Sequence, residues 1–234
     1  MATARSYSDA CGMAHALDLV GQRWAMHVVR ELLLGPKRYS DLRADLPGIS
    51  TNMLSDRLSE LEGSGLVRRR QLPRPSAAWV YELTEYGADL EPIITTLGRW
   101  GARSPSHRPD LPLSATAFVL SLRTNFDVTR ATGLSASYGL RVSDLDLYAR
   151  LEDGAFTVEP GTAPTPDATL AGMHDVLAGL IYDGRNFDDA VRGCEVSVSG
   201  DTEAARRFLT LFTLPDKVAP TPPTTSGRGP APHD

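Results

Sequence analysis

The sequence is poor in cysteine, in positive charge and in long apolar runs. Its 234 residues include two cysteines, Cys11 and Cys194. Two thiols so far apart make no disulfide scaffold. Without CxxC or a His/Cys cluster they make no zinc site either. A reducing compartment fits this usage. No run approaches about 18 uninterrupted apolar residues, so no membrane span is expected. The opening MATARSYSDACGM lacks the apolar stretch of a secretion signal. No glycine-rich phosphate loop is present. His15, His27, His107, His174 and His233 stand in no motif with a nucleophile or a metal partner. Asp188 and Asp189 are adjacent, and neighbours on a helix do not face each other. They read as an exposed helix start. The expectation is no catalysis, no metal and no cofactor.

The formal net charge is −5, which argues against a uniformly basic coat for nucleic acid. The average hides an asymmetry. Residues 1–103 carry 13 Lys+Arg against 12 Asp+Glu, whereas 104–234 carry 11 against 17. Two modules of different electrostatic character are expected.

The first module reads as helices and a hairpin. Residues 1–8 are short and polar, an expected mobile arm. Met13, Leu17 and Val20 share one helical face, giving a helix from Asp9, its expected N-cap, to Val20. Trp24, Val28 and Leu32 mark a second helix, ended by Gly35-Pro36. A short third runs from Ser40 to Leu46. After the Pro47-Gly48 turn, Ser50 caps a fourth, with Leu54, Leu58 and Leu61 inward. Gly63-Ser64-Gly65 stops it. Residues 66–70 and 78–83 then read as two strands of a hairpin with a proline-stiffened tip. A last helix is expected from Glu85 to Trp100, and 104–112 reads as a linker.

That order, three helices, a fourth after a Pro-Gly turn, then a basic hairpin, is the order of a winged helix-turn-helix. Opposite the leucine stripe lie small hydrogen-bonding residues able to approach base edges, and helix N-termini bind phosphate. Candidate DNA contacts are Ser50, Thr51, Asn52, Ser55 and Arg57 on the fourth helix, with Arg68, Arg69, Arg70 and Arg74 on the hairpin, where alternation should turn one or two away. Three arginines on a strand can also be only a solvated face; the combination of order, turn and cap favours DNA.

The segments CGMAHALDLVGQRW, RYSDLRADLPGISTNMLSDRLSELEGSGLVRR and YELTEYGADLEPIITTLGRWG resemble the HxlR-type winged-helix transcription regulators over roughly residues 9–101. The resemblance implies a cytoplasmic homodimer that binds double-stranded operator DNA, pairing through its first and last helices. Some family members repress and others activate. One departure is Gly12, where the family commonly has proline. Cys11 matches a cysteine that some members use to sense oxidants or electrophiles, so it is a redox candidate; the alternative is a packing residue at the dimer seam. Cys194 alternates with Val196 and Val198 and reads as a core strand residue.

The second module, 113–214, reads as helix, several strands, helix, strand, helix: an α+β domain with one curved sheet. Its segment PDATLAGMHDVLAGLIYDGRNFDDAVRGCEVSVSGDTEAARRFLTLF resembles the SCP2-like (sterol carrier protein) fold. The resemblance implies an apolar tunnel for a hydrophobic effector. Candidate lining residues are Phe118, Leu122, Phe126, Tyr138, Tyr148, Phe156, Leu177, Tyr182, Phe187, Phe208 and Phe212. Residues 215–234 are expected to be a disordered tail. The leading expectation is a regulator answering to a hydrophobic small molecule. The alternatives are a thiol switch through Cys11 and a C-terminal domain that only dimerises or docks a partner.

Overall fold

The structure, a computed structural model, describes residues 6–162 and 164–219. Its first half is α1 (Gly12–Val20), α2 (Ala25–Leu32), α3 (Tyr39–Asp45), α4 (Thr51–Gly63), the hairpin β1 (Val67–Gln71) and β2 (Trp79–Leu83), then α5 (Glu85–Ala88) and α6 (Glu91–Ala102). This is a winged helix-turn-helix. Its core joins Val28, Val29 and Leu32 of α2 to Leu42 of α3 and to Leu54, Leu58 and Leu61 of α4. The leucine spacing dictates that face: i, i+4 and i+7 fall on one stripe, and all three side chains are buried. Gly48 makes the preceding turn at φ +91, a left-handed conformation that costs glycine little.

Several local details differ from the sequence reading. Asp9 does not cap α1. Its carboxylate accepts from the Cys11 N–H at 2.9 Å, and Cys11 occupies the N-cap position. Residues 6–8 are not a free arm, because Ser6 Oγ and the Tyr7 N–H both donate to Asp18. The expected single helix from Glu85 is two, α5 and α6, separated at Asp89 and Leu90. Pro92 explains the restart: it lacks an N–H and sits in the first turn of α6, where none is needed.

The second half is α7 (Ala115–Asn125), a 3₁₀ turn, then β3 (Ala136–Val142), β4 (Leu145–Glu152), β5 (Ala155–Pro160), β6 (Ala168–Gly172), α8 (His174–Tyr182), α9 (Phe187–Arg192), β7 (Val196–Gly200) and α10 (Thr202–Leu209). The five strands form one mixed sheet, β5-β4-β3-β6-β7, in which only β3 and β6 run parallel. Alternation decides the faces. Tyr138, Leu140 and Val142 of β3, with Leu147, Ala149 and Leu151 of β4, turn toward a core shared with α7, α8 and α10.

Cys194 is not a core strand residue. It is exposed, at φ +57, in the turn ahead of β7, because the strand begins two residues later than its alternation suggests. The tail expected to be disordered from 215 is anchored over its described part. The Val218 N–H donates to the Arg103 carbonyl at 2.9 Å, and Lys217 Nζ donates to that of Ser104. Residues 220–234 lie outside the described residues.

The two halves meet through polar groups. Glu31, fully buried on α2, accepts from Ser114 Oγ at the start of α7 at 2.7 Å. Lys37 Nζ donates to Thr116 Oγ1 at 2.9 Å and pairs with Glu31 and Asp45. Arg123 of α7 pairs with Glu91 of α6.

Candidate DNA interface and interdomain cleft

Helix α4 shows how one sequence pattern yields two faces. Ser50 accepts from the Met53 N–H at 3.2 Å and so caps the helix. Thr51, Asn52, Ser55, Asp56 and Ser59 are exposed on the side opposite the buried leucines. Tyr39 of α3 braces this face: its hydroxyl donates to the Thr51 carbonyl at 2.8 Å and lies 3.4 Å from Ser55 Oγ. Met53, at the edge of the same face, is an apolar addition to it that the polar pattern does not suggest.

Arg57 is corrected. It lies three residues after Leu54 and four before Leu61, which places it on the inward stripe. It is buried, and its guanidinium pairs with Glu60. It does not present its charge beside Thr51 and Asn52.

The hairpin divides its arginines by face. Arg68 and Arg70 point to one side, where Glu82 of β2 accepts from both, at 2.7 and 2.6 Å. Arg69 points to the other and lies over Trp79, 4.6 Å from the ring centroid, and near Tyr81. That stacking holds its charge outward while its stem stays on aromatic carbon. Arg74 sits at the exposed tip. Arg38, at the start of α3, reaches Ser76 of the same tip at 3.3 Å, tying helix to wing. The wing also depends on one close approach: a Cβ on Gly87 would lie 2.0 Å from the Leu66 carbonyl oxygen.

Cys11 is exposed at the head of α1. Its side chain makes no cap hydrogen bond. The N–H groups of Ala14 and Met13 nevertheless lower its thiol pKa below the ordinary value, as expected where free helical N–H groups point at a forming thiolate.

In the C-terminal half, the expected lining residues are mostly packing. Phe126, Tyr138, Phe156, Phe208 and Phe212 form one aromatic cluster, with Tyr138 and Phe208 centroids 4.8 Å apart and Phe156 and Phe212 5.3 Å apart. Phe118, Leu122 and Leu177 are buried in the same core, and Phe187 is buried at its edge. Tyr148 is corrected. It stands on the outer face of the sheet, opposite Gly139, beneath Arg150. Tyr148 alternates with Leu147 and Ala149 along β4 and so cannot share their inner face.

Tyr182 is placed differently from the rest. It borders a cleft of about 470 Å³ between α6, the linker, α7 and α8. Its hydroxyl lies 2.9 Å from Ser121 Oγ, and burial raises its pKa against the hydrogen bonds of Ser121 and Asn125. Asn125, Ile94, Gly98 and Leu120 line the same cleft, and no sequence pattern marks them, since they come from segments far apart in the chain. Among the described residues no group of three or more His, Cys, Asp or Glu is arranged to hold a metal ion. No described helix is long and apolar enough to cross a membrane.

Comparison with known proteins matches residues 19–108 to the HxlR-like helix-turn-helix family and residues 111–218 to the alkyl sulfatase C-terminal family. The transcriptional regulator YvaP of Bacillus subtilis is 39% identical over 85 residues, covering 36% of this chain and 79% of YvaP. The transcriptional regulator YodB of the same organism is 36% identical over 88 residues, covering 38% of this chain and 79% of YodB. The solved reduced form of YodB aligns with 32% identity over 42% of this chain and 97% of that one, at a TM-score of 0.38.

Proposed function

The chain belongs to the HxlR-like helix-turn-helix family of DNA-binding transcriptional regulators, and from that premise we propose that it acts as a homodimer on an operator and answers to a hydrophobic small molecule through its C-terminal domain. The observation that carries the DNA-binding geometry is the two-faced α4: a buried leucine stripe beneath an exposed row of Thr51, Asn52 and Ser55. These three enter the major groove, and Ser50 orients the helix N-terminus toward phosphate. Arg69 and Arg74 supply the wing contacts. Arg68 and Arg70 contribute less, since one carboxylate offsets both.

Dimerisation is supported by exposed apolar side chains on the first and last helices of the N-terminal domain. Met13 and Leu17 stand out on α1. Ile93, Leu97 and Trp100 form an i, i+4, i+7 stripe on α6, with Trp100 71% exposed. A lone helix face of this kind is rarely left to water. We read residues 1–103 as the DNA-binding unit, 104–112 as the linker and 113–214 as an SCP2-like ligand-binding unit. Its single mixed sheet under helices suits that architecture. The setting is the cytoplasm, where a regulator meets its DNA. No catalytic step is assigned to the C-terminal half.

A second reading has one specific observation in its favour: Cys11 is exposed, with a lowered thiol pKa, at a helix head. In it the thiol is the sensor and the C-terminal domain is passive. A Cys11→Ser chain that keeps its full response removes this reading.

The test of the wing is the salt dependence of DNA binding by an Arg69→Ala, Arg74→Ala chain. Removing one cation from a phosphate lowers the slope of log affinity against log salt by about one. A slope equal to that of the parent removes the wing from the DNA interface.

A further inference from the structure

We propose that the effector site is the cleft between α6 and α7, and that it takes a neutral, mainly apolar small molecule carrying one hydrogen-bond donor. This rests on the reading of the chain as an effector-responsive regulator, and it moves the site out of the sheet interior, where the SCP2-like resemblance puts it. That interior is filled by its own aromatic cluster, with Tyr138 fully buried and Phe208 and Phe212 nearly so.

The cleft has what the interior lacks. Its volume of about 470 Å³ is that of a small-molecule site, commonly about 300–1,000 Å³. Its apolar wall is made of Ile94 and Gly98 from α6, Leu111 from the linker, Leu113 just before α7, Leu120 from α7 and Ala178 from α8, with Thr95, His107, Thr124 and Asp183 as polar neighbours. Convergent polar groups lie among them. Tyr182 and Ser121 share a hydrogen bond at 2.9 Å. Asn125 is only 6% exposed, yet its Oδ1 has no hydrogen-bond partner. A buried acceptor without a donor is costly; Asn125 lies on the cleft wall with its Oδ1 covered, and a turn of its side chain toward the cleft lets a donor from a bound molecule relieve that cost. The rim carries charges of both signs, Asp183 as well as Arg30 and Arg108, and so favours a neutral molecule. Arg30 is already paired with Glu31 and Arg108 with Asp110, so neither cation is free to draw an anion in.

The position of the cleft supplies the link to DNA. Helix α6 lines it with Ile94 and Gly98 and exposes Ile93, Leu97 and Trp100 on its other side. A molecule that holds α6 at one setting against α7 therefore acts on the helix proposed to pair the protomers. A shift of that helix changes the spacing of two recognition helices, which must match half-sites about 34 Å apart. The effect requires unequal affinity of the molecule for the two settings.

N-phenyl-1-naphthylamine is a suitable probe: two aromatic groups joined by one N–H, fluorescent when removed from water. It is titrated into the full chain, into Gly98→Phe and into Asn125→Leu, with DNA affinity measured in the same samples. A Cβ at Gly98 meets nothing within 4 Å, so the phenyl group enters open space rather than the packed core. The expected result is one probe per protomer in the parent chain. Binding weakens roughly tenfold or more in Gly98→Phe and about fivefold in Asn125→Leu, and the probe changes DNA affinity only where it binds. Equal probe affinity in the parent chain and Gly98→Phe overturns the site. A parent chain that binds DNA but no probe overturns the ligand class and leaves the regulator standing. Probe binding that leaves DNA affinity unmoved overturns the effector role. A parent chain that selects no DNA removes the regulator reading itself.

Discussion

Glu31 is a charge with no exposed surface at the seam between the two halves. Burial alone raises a carboxyl pKa, but Arg30, Lys37 and the Ser114 hydroxyl outweigh it, and the net shift is downward. A carboxyl held below its unfolded value contributes stability above that value and loses it as pH falls through the folded value. The chain is therefore expected to lose stability in the acid range below the ordinary glutamate pKa of about 4.3. Glu31→Gln should flatten that loss. At neutral pH it should cost about 3 kcal/mol, because Arg30 stays partly buried without its carboxylate and Lys37 keeps only that of Asp45. Denaturant melts of both chains across pH 3–7 check it; parallel curves contradict it. The Cys11 thiol carries a second prediction. Its alkylation rate should reach half its maximum at a pH below that of a free cysteine thiol, whose pKa is about 8.5. A midpoint at or above that value contradicts the helix-head effect. These two residues also mark what sequence can show. Cys11 is legible by its match to the sensing cysteine of the family it resembles and by its place in the first turn of an expected helix. Glu31 is not, because its partners Lys37 and Ser114 belong to other segments and its own position, between Arg30 and Leu32, reads as an ordinary polar site.

At the scale of elements, Glu82 decides how much of the wing is free to act. It neutralises Arg68 and Arg70 from the facing strand, while Arg69 stands on the other side over Trp79. Glu82→Gln should release both arginines, tighten DNA binding at low salt and steepen its salt slope. An unchanged slope would mean that this face of the hairpin looks away from DNA. The helices and hairpin are legible because helical and strand periods alternate cleanly along residues 9–83, with Gly and Pro between them. The errors have a common origin in phase. Arg57 reads as polar and outward, although counting from Leu54 and Leu61 puts it inward. Tyr148 reads as lining because it is aromatic, although parity with Leu147 puts it outside. The break before Pro92 and the late start of β7 at Val196 are boundary effects set by tertiary packing.

For the whole molecule, the domain order is legible in the sequence and the space between domains is not. The aromatic residues expected to line the tunnel that the resemblance implies pack against one another. The cleft is assembled from α6, the linker, α7 and α8, and no local pattern announces it. Its neighbourhood couples the C-terminal domain to the helix whose far side is exposed and apolar. The central claim is that a two-faced α4, displayed in a dimer, selects DNA. The direct measurement is selection of binding sites by the purified full chain from a random-sequence duplex pool, beside an Asn52→Ala chain. The account predicts an enriched site of two related half-sites about one helical turn apart, with the preference at one position in each half relaxed in Asn52→Ala. Enrichment of no sequence, or one identical in both chains, would contradict it.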